Sequence, residues 1–142
     1  MFTGEYRHSI DAKGRLIVPV KLRESLGDKF FIVKGADKCL NLYTYEEWEK
    51  FVAKLAKLPE GNANARKLVR FYLSSAFEVE VDKQARILIP QLHREYAKID
   101  KDVVLSGEGN KVGIWSVENW DEISIDNEEA TEISNEFADF LR

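Results

Sequence analysis

Apolar and polar residues alternate along two stretches of the chain that lie roughly seventy residues apart. Residues 77–82 alternate strictly and residues 6–10 less strictly, which is the period of a half-buried β-strand. A short polar loop interrupts each stretch, and β-rich runs at residues 15–18 and 86–89 resume the pattern. The pattern therefore predicts a β-hairpin at each of the two loops.

The same order of elements is expected after each loop. Pro19 and Pro90 end the β-rich runs and suit the first turn of a short helix. Thr44 and Ser116 stand where helix N-caps are expected. The predicted elements are short helices at 20–26 and 91–97, strands at 30–33, 39–43, 103–105 and 112–115, and longer helices at 45–57, 63–74 and 128–141.

The two halves of the chain form an internal repeat. Residues 5–51 align with residues 76–123 at an offset of 71 that becomes 72 after one gap. The aligned pairs include Asp11 with Asp82, Arg15 with Arg86, Pro19 with Pro90, Gly35 with Gly107, and Trp48 with Trp120. One such module could not cover its own apolar strand faces, so we expect two modules to pack about a pseudo-twofold axis.

This repeat divides the chain into four segments. We expect a first module at residues 1–60, a helical linker at 61–75, a second module at 76–123, and an acidic amphipathic helix at 124–142. The predicted fold class is mainly β with helices, built from two βαββ-type modules.

The charge is divided unevenly between these segments. The net charge of −4 argues, taken alone, against a nucleic-acid partner. Residues 1–120, however, carry a net +3, and residues 121–142 carry −7. The chain is therefore a mildly basic body with an acidic tail, which is typical either of an interaction segment or of a solvated helix face.

Several functional classes find no support in the sequence. Cys39 is the only cysteine and His8 and His93 are the only histidines, so no Cys/His metal site is predicted. We expect His93 on the surface and Cys39 in the interior. No nucleophile motif, catalytic residue or cofactor site is evident. No apolar run approaches a membrane span and the first residues lack the apolar core of an export signal, so a cytoplasmic protein is expected.

The loop Asp11-Ala12-Lys13-Gly14-Arg15 carries the most informative chemistry. Its aspartate and glycine are typical of a tight turn. Lys13 and Arg15 flank the glycine, where cations can meet phosphates, and arginine can also form a fork onto guanine. A two-stranded β-ribbon is narrow enough to enter the major groove of DNA. Because Asp82–Arg86 repeats the loop, two related loops could contact adjacent sites on a duplex.

These residues resemble the MraZ family. The resemblance rests on the Asp-x-Lys-Gly-Arg loop and on the second Asp-x-x-x-Arg loop, and it covers about residues 1–123. It is also carried by Met1-Phe2-x-Gly4, Arg70-Phe71 to Ser74-x-Ala76, Leu88-Ile89-Pro90, and Ile114-Trp115 with Trp120.

The resemblance implies a cytoplasmic, nucleoid-associated transcriptional regulator of the division and cell-wall gene cluster. It implies two AbrB-like modules, a double-split or swapped-hairpin β-barrel, a ring-shaped homo-oligomer, and repression through tandem repeats in promoter DNA. The residues that match the DNA-binding loops are Lys13, Gly14, Arg15, Gln84 and Arg86. Ala85 departs from the glycine usual at that position, so the second loop is expected to differ in shape or to contribute less.

Two other functions are weighed against this one. An AbrB-antitoxin-like interaction module would use the acidic tail at residues 124–142 to bind a partner protein. An enzyme, such as a carboxylate-based metal hydrolase, is supported only by the abundance of Asp and Glu and ranks last.

Overall fold

The computed structural model describes residues 1–142, which form eight β-strands and seven α-helices. The strands are β1 (Glu5–Ser9), β2 (Arg15–Ile17), β3 (Lys29–Lys34), β4 (Leu40–Tyr43), β5 (Phe77–Glu80), β6 (Arg86–Leu88), β7 (Asp102–Gly107) and β8 (Val112–Ser116). The α-helices are α1 (Val20–Leu26), α2 (Tyr45–Leu55), α3 (Ala63–Ser75), α4 (Gln91–Tyr96), α5 (Val117–Ile123), α6 (Asn127–Glu136) and α7 (Ala138–Leu141). A single 3₁₀ turn at Ala36–Lys38 precedes β4.

Equivalent side chains begin the helices in the two halves. The Thr44 hydroxyl accepts a hydrogen bond from the backbone N–H of Glu47 at 3.1 Å and caps α2. Ser116 caps α5 in the same way through the N–H of Asn119, also at 3.1 Å. The two predicted N-caps are therefore confirmed, and each satisfies a backbone donor that the helix leaves free.

The two modules exchange strands within one antiparallel six-stranded sheet. Its strand order is β1-β7-β8-β4-β3-β5. The first strand of each module thus lies at an edge, paired with a strand of the other module: β1 with β7, and β5 with β3. The second strands, β2 and β6, form a separate two-stranded antiparallel sheet.

The position of the expected pseudo-twofold axis is defined by two strand pairs in which equivalent residues lie opposite each other. In the β2–β6 pair Leu16 lies opposite Ile87, its own counterpart in the repeat. In the β4–β8 pair Asn41 lies opposite Gly113, again its own counterpart. An axis through these two pairs exchanges one module with the other, as the repeat predicts.

The predicted hairpins are wrong in one respect. The strands that flank each loop do not pair with each other, because β1 and β5 join the six-stranded sheet while β2 and β6 pair together. Only the turn itself closes, as in the N–H of Asp11 donating to the carbonyl of Arg15 at 2.9 Å. Pairing with the other module gives these strands a long partner, since β1 pairs with β7 along five residues, whereas β2 is only three residues long.

One hydrophobic core fills the space between the two sheets. Its 19 buried residues come from both modules and include Leu16, Phe30, Ile32, Ile87 and Ile114. Burying such a side chain contributes about 1.5–3 kcal/mol. Because the core is shared, neither module alone would enclose it.

Helices cover part of the outer face of the six-stranded sheet. Helices α2 and α3 lie over the β3–β4 half, and α5 lies over β7 and β8. On α3, Val69 is half-buried, whereas the neighbouring Leu68 is 44% exposed. The single predicted tail helix is interrupted at Phe137, whose φ of −106° and ψ of 23° separate α6 from α7.

Candidate nucleic-acid interface

The first loop is a tight turn organised by the carboxylate of Asp11. Oδ1 accepts the backbone N–H groups of Lys13 and Arg15, both at 2.9 Å. Oδ2 accepts Nε–H of Arg15 at 2.7 Å. The N–H of Gly14 donates to the Asp11 carbonyl at 3.0 Å, and Gly14 has a φ of +83°, which glycine adopts without a Cβ penalty.

The second loop reproduces this turn around Asp82. Oδ1 accepts the N–H groups of Gln84 at 2.8 Å and Arg86 at 2.9 Å, and Oδ2 accepts Nε–H of Arg86 at 3.0 Å. Ala85 takes the place of the glycine with a φ of +64°, and its N–H donates to the Asp82 carbonyl at 3.0 Å. The expected difference in shape is therefore wrong: the hydrogen bonds hold Ala85 in the left-handed region at a cost of about 1–2 kcal/mol.

Each loop is tied to the opposite module. The N–H of Ile89 donates to the Gly14 carbonyl at 2.9 Å, and the N–H of Val18 donates to the Ala85 carbonyl at 2.9 Å. The two turns are thus held beside a common two-stranded ribbon, β2–β6. Their relative position is part of the folded core and does not depend on flexible hairpins.

The ribbon presents its two arginines on one outward face. Leu16 and Ile87 point into the core, so Arg15 and Arg86, one position away on each strand, point outward. Their side chains are 31% and 23% exposed. Oδ2 of Asp11 lies 3.9 Å from Nη1 of Arg86 as well as 2.7 Å from Nε of Arg15, so this carboxylate links the two arginines across the ribbon.

Both carboxylates serve as fixed anchors for the arginines. Hydrogen bonds from the backbone, the largest from the N–H of Arg15, lower the pKa of the Asp11 carboxyl below its ordinary value. The N–H of Arg86 does the same to the pKa of Asp82. The carboxylates bind Nε of each arginine, and no intramolecular hydrogen bond uses the terminal Nη groups. Those groups can therefore donate to an external acceptor.

Lys13 and Gln84 occupy the corresponding position in the two turns, and both are exposed. Lys83, next to Gln84, is exposed as well. The structure thus brings all five predicted site residues to the two turns and the ribbon between them. The surface combines cations with an amide, which are groups that contact phosphates and base edges. Gly14 itself is buried, and the side chain of Arg94 lies against it.

Arg94 is a neighbour of this surface that the sequence reasoning did not single out. A Cβ on Gly14 would lie 2.6 Å from Cζ of Arg94, so the glycine allows the guanidinium to lie against the turn. Nε–H of Arg94 donates to the Ile89 carbonyl at 3.1 Å. The sequence did contain one indication that Arg94 has a role: it aligns with Arg23 in the repeat.

The remaining candidates are structural. His93 was expected at the surface, but it is 2% exposed and its Nε2–H donates to the Ser75 carbonyl at 2.7 Å. Burial lowers the pKa of His93 and raises the pKa of Cys39 to about 12, so the buried thiol is unreactive. No cluster of three or more His, Cys, Asp or Glu side chains has a metal-binding arrangement, and no helix is long and apolar enough to cross a membrane.

The aromatic residues at matched repeat positions pack against one another within each module. Tyr43 and Trp48 lie with ring centroids 5.7 Å apart in a cluster beneath α2, and Trp115 and Trp120 lie 6.0 Å apart beneath α5. Tyr43, Trp48 and Trp115 are buried and Trp120 is half-buried, so these rings serve packing.

Comparison with known families identifies the chain by both of its modules. A family model described as "MraZ protein, putative antitoxin-like" matches twice, at residues 1–71 and at residues 72–141. The chain belongs to the MraZ family. The MraZ fold agrees with the prediction made from the sequence: a mixed, mostly antiparallel structure with two repeated AbrB-like modules.

Curated MraZ relatives are similar along most of the chain. The transcriptional regulator MraZ of Desulforamulus reducens is 54% identical over 121 residues, which are 85% of each chain. The protein of that name from Acetivibrio thermocellus is 51% identical over 132 residues, or 93% of this chain and 92% of the relative. That of Lachnoclostridium phytofermentans is 50% identical over 140 residues, or 99% and 97%. These names describe a regulatory role and not an enzymatic one, in agreement with the sequence prediction.

Proposed function

We propose that this MraZ chain is a sequence-specific DNA-binding transcriptional regulator, a repressor that acts on tandem repeats in the promoter region of the division and cell-wall gene cluster. The observation that carries the proposal is the pair of matched turns, fixed on one ribbon, with their cations outward. We propose the same four segments as its functional units: modules 1–60 and 76–123, linker 61–75 and tail 124–142.

The ribbon suits the major groove both in width and in chemistry. A two-stranded antiparallel ribbon fits that groove. The terminal Nη groups of Arg15 and Arg86, which make no hydrogen bond within the chain, can form forks onto guanine, and the Gln84 amide can pair with adenine. Lys13, exposed at the tip of the first turn, supplies a phosphate contact, while the buried Gly14 gives the turn its shape.

One chain offers few such contacts, so we propose that affinity comes from assembly. A ring-shaped homo-oligomer would present many ribbons to regularly spaced repeats, and linked contacts raise the effective concentration of each further contact. This mode of action belongs to a cytoplasmic, nucleoid-associated protein. It predicts binding that increases with repeat number and decreases with salt concentration.

The test is a mobility shift on DNA from upstream of the gene, titrated with salt and with repeats added or deleted. Replacing Arg15 by Ala is expected to weaken binding by about 1–3 kcal/mol and to relax sequence preference. Lys50→Ala is the matched control, because it removes one exposed cation from α2 on the far side of the six-stranded sheet. Equal binding by folded Arg15→Ala and wild-type protein would refute the role of Arg15, and binding independent of repeats would refute the proposed mode.

The second candidate is an antitoxin-like module that binds a partner protein through the tail. Two observations favour it: the description of the family as antitoxin-like, and the exposure of the acidic helices α6 and α7. Affinity capture with the full chain and with a chain lacking residues 124–142 separates the two functions. A partner that is lost with the tail, together with no retention of promoter DNA, would favour this candidate over the first.

A further inference from the structure

The C-terminal tail forms two helices that lie free of the body. In the segment 124–142 every residue is exposed except two half-buried alanines. The apolar side chains Ile133, Phe137, Phe140 and Leu141 fall at helical spacing and are 38–85% exposed. Six acidic side chains lie between residues 126 and 139, and two of them, Glu132 and Glu136, are one turn apart. Helices α6 and α7, separated at Phe137, therefore hold apolar side chains in water that lack a surface to pack against.

A second surface of the molecule has the complementary properties. The end of α2, the connection at residues 56–60 and α3 line a groove of about 310 Å³, the α2–α3 groove. Its larger apolar residues are Leu55, Leu58, Pro59 and Val69, and Glu60 lies among its polar ones. Arg66 and Arg70 of α3 also line the groove, one helical turn apart. Residues 54–70 contain five basic side chains and one acidic one, whereas residues 126–139 contain six acidic side chains and no basic one.

The charged residues of the two surfaces match in spacing as well as in the sign of their charge. Arg66 and Arg70 are separated by four residues, as are Glu132 and Glu136, so both pairs span ~6 Å along a helix. With the apolar stripe of the tail in the groove, the acidic positions beside the stripe lie next to the two arginines. Ion pairs of this kind select a partner more than they add affinity, which comes from the buried apolar side chains.

The positions of the two surfaces favour a contact between different copies of the chain. The tail follows α5, which packs on β7 and β8, whereas the groove lies on the helices that cover β3 and β4. These strand pairs occupy opposite halves of the sheet. A contact between different surfaces of identical chains is head-to-tail and builds a ring when its rotation closes.

We propose that α6–α7 of one copy binds in the α2–α3 groove of the next copy and that this contact links the chains of the oligomer. The proposal rests on the homo-oligomer of the proposed function and names the surfaces that hold it together. Charge complementarity identifies the occupant, since a second copy supplies an acidic helix with a matching apolar stripe.

Charge reversal tests the contact through the mass of the full chain in solution. Arg66→Glu with Arg70→Glu, or Glu132→Lys with Glu136→Lys, is expected to weaken self-association by about tenfold or more. Combining all four substitutions in one chain restores the attraction and is expected to restore the mass. The matched control, Lys21→Glu with Lys101→Glu, reverses two exposed cations that lie outside both surfaces. Unchanged mass in both reversed variants, or no recovery in the combined variant, would overturn the proposal.

Disulfide trapping decides which copy supplies the tail. One chain carries Val69→Cys and a second, differently tagged chain carries Phe137→Cys; the native Cys39 is 3% exposed and stays out of the reaction. Mixing and oxidation are expected to link the two tagged chains, and Lys21→Cys in place of Val69→Cys is expected not to link.

The outcomes of both experiments separate this proposal from the proposed function. A disulfide that forms only within a single chain carrying both cysteines would show the tail folding back and would overturn the contact. An oligomer that persists after deletion of residues 124–142 would do the same, while leaving assembly and DNA binding intact. Loss of promoter binding with assembly unchanged would instead count against the proposed function.

Discussion

The two modules are nearly identical at their turns and different on the other side of the sheet. At the turns, Asp11 and Asp82 make the same hydrogen bonds although one loop has Gly14 and the other Ala85. On the outer sheet face, the first module is covered by α2 and α3, whereas in the second module α5 is followed by the exposed α6. Under the proposed function, the symmetric side contacts the duplex through two equivalent turns. On the other side, the helical layer over the second module is less complete than that over the first.

The largest expected difference between the modules is in the free energy of unfolding when their aligned tryptophans are removed. Trp48 is buried in an aromatic cluster with Tyr43 and Phe51, backed by Tyr72 of α3. Trp48→Ala is expected to cost about 3–5 kcal/mol. Trp120 is only half-buried, so Trp120→Ala is expected to cost about 1–2 kcal/mol. Urea denaturation measures both, and equal losses would show that the second layer is as complete as the first.

The next effect concerns the first turn. Gly14→Ala places a methyl group in the left-handed region and 2.6 Å from Cζ of Arg94. The arginine has to move and to give up its 3.1 Å hydrogen bond to the Ile89 carbonyl. We expect a loss of about 1–3 kcal/mol from the conformational cost and the lost bond together. Thermal unfolding followed by circular dichroism measures this loss of stability. A variant as stable as wild type would show that the first turn accepts alanine as readily as the second turn accepts Ala85.

These comparisons also show what the sequence could predict. Helix α1 has the predicted bounds, and Thr44 and Ser116 cap as expected, because these features depend on residues close in the chain. The repeat predicted the pseudo-twofold axis, since Leu16 and Ile87 had to be equivalent. The five site residues could be placed at the two loops for the same local reason.

What could not be predicted depends on contacts between the modules. A local pattern cannot distinguish a hairpin from two strands that pair elsewhere, so the pairing of β1 with β7 was missed. His93 was misplaced because its partner, the Ser75 carbonyl, lies on the linker helix of another part of the chain. Arg94 belongs to the second module and Gly14 to the turn of the first, so their contact could not be predicted from the sequence of either module alone.

His93 makes the pH response of the two modules unequal. Its counterpart in the repeat is Leu22, which is buried and has no charge to gain. Burial, with a smaller contribution from the charge of Lys34, lowers the pKa of His93 in the folded chain below its ordinary 6.5. The unfolded chain therefore binds the proton first, and stability falls as the pH drops below 6.5, by at most about 1.4 kcal/mol per pH unit.

His93→Gln keeps an N–H donor for the Ser75 carbonyl and removes the titration. As the pH is lowered from 7 through 6.5 and below, we expect the free energy of unfolding of this variant to fall less than that of wild type. Urea denaturation at each pH measures it. Other titrating groups contribute equally to both proteins and cancel in the difference. Parallel pH profiles of the two proteins would exclude His93 as the source.

The smallest expected effect is at Ala85, where the second turn departs from the first. Ala85→Gly relieves a φ of +64°, which favours the folded chain by about 1–2 kcal/mol. The same change frees the backbone of the unfolded chain, which opposes it by about 0.4–1 kcal/mol. We therefore expect a net gain between zero and about 1.6 kcal/mol, measured as a rise in the urea midpoint. Because the hydrogen bonds of Asp82 already fix the turn, the affinity for promoter DNA should stay unchanged, and a marked change in affinity would mean that the two turns are not equivalent when DNA is bound.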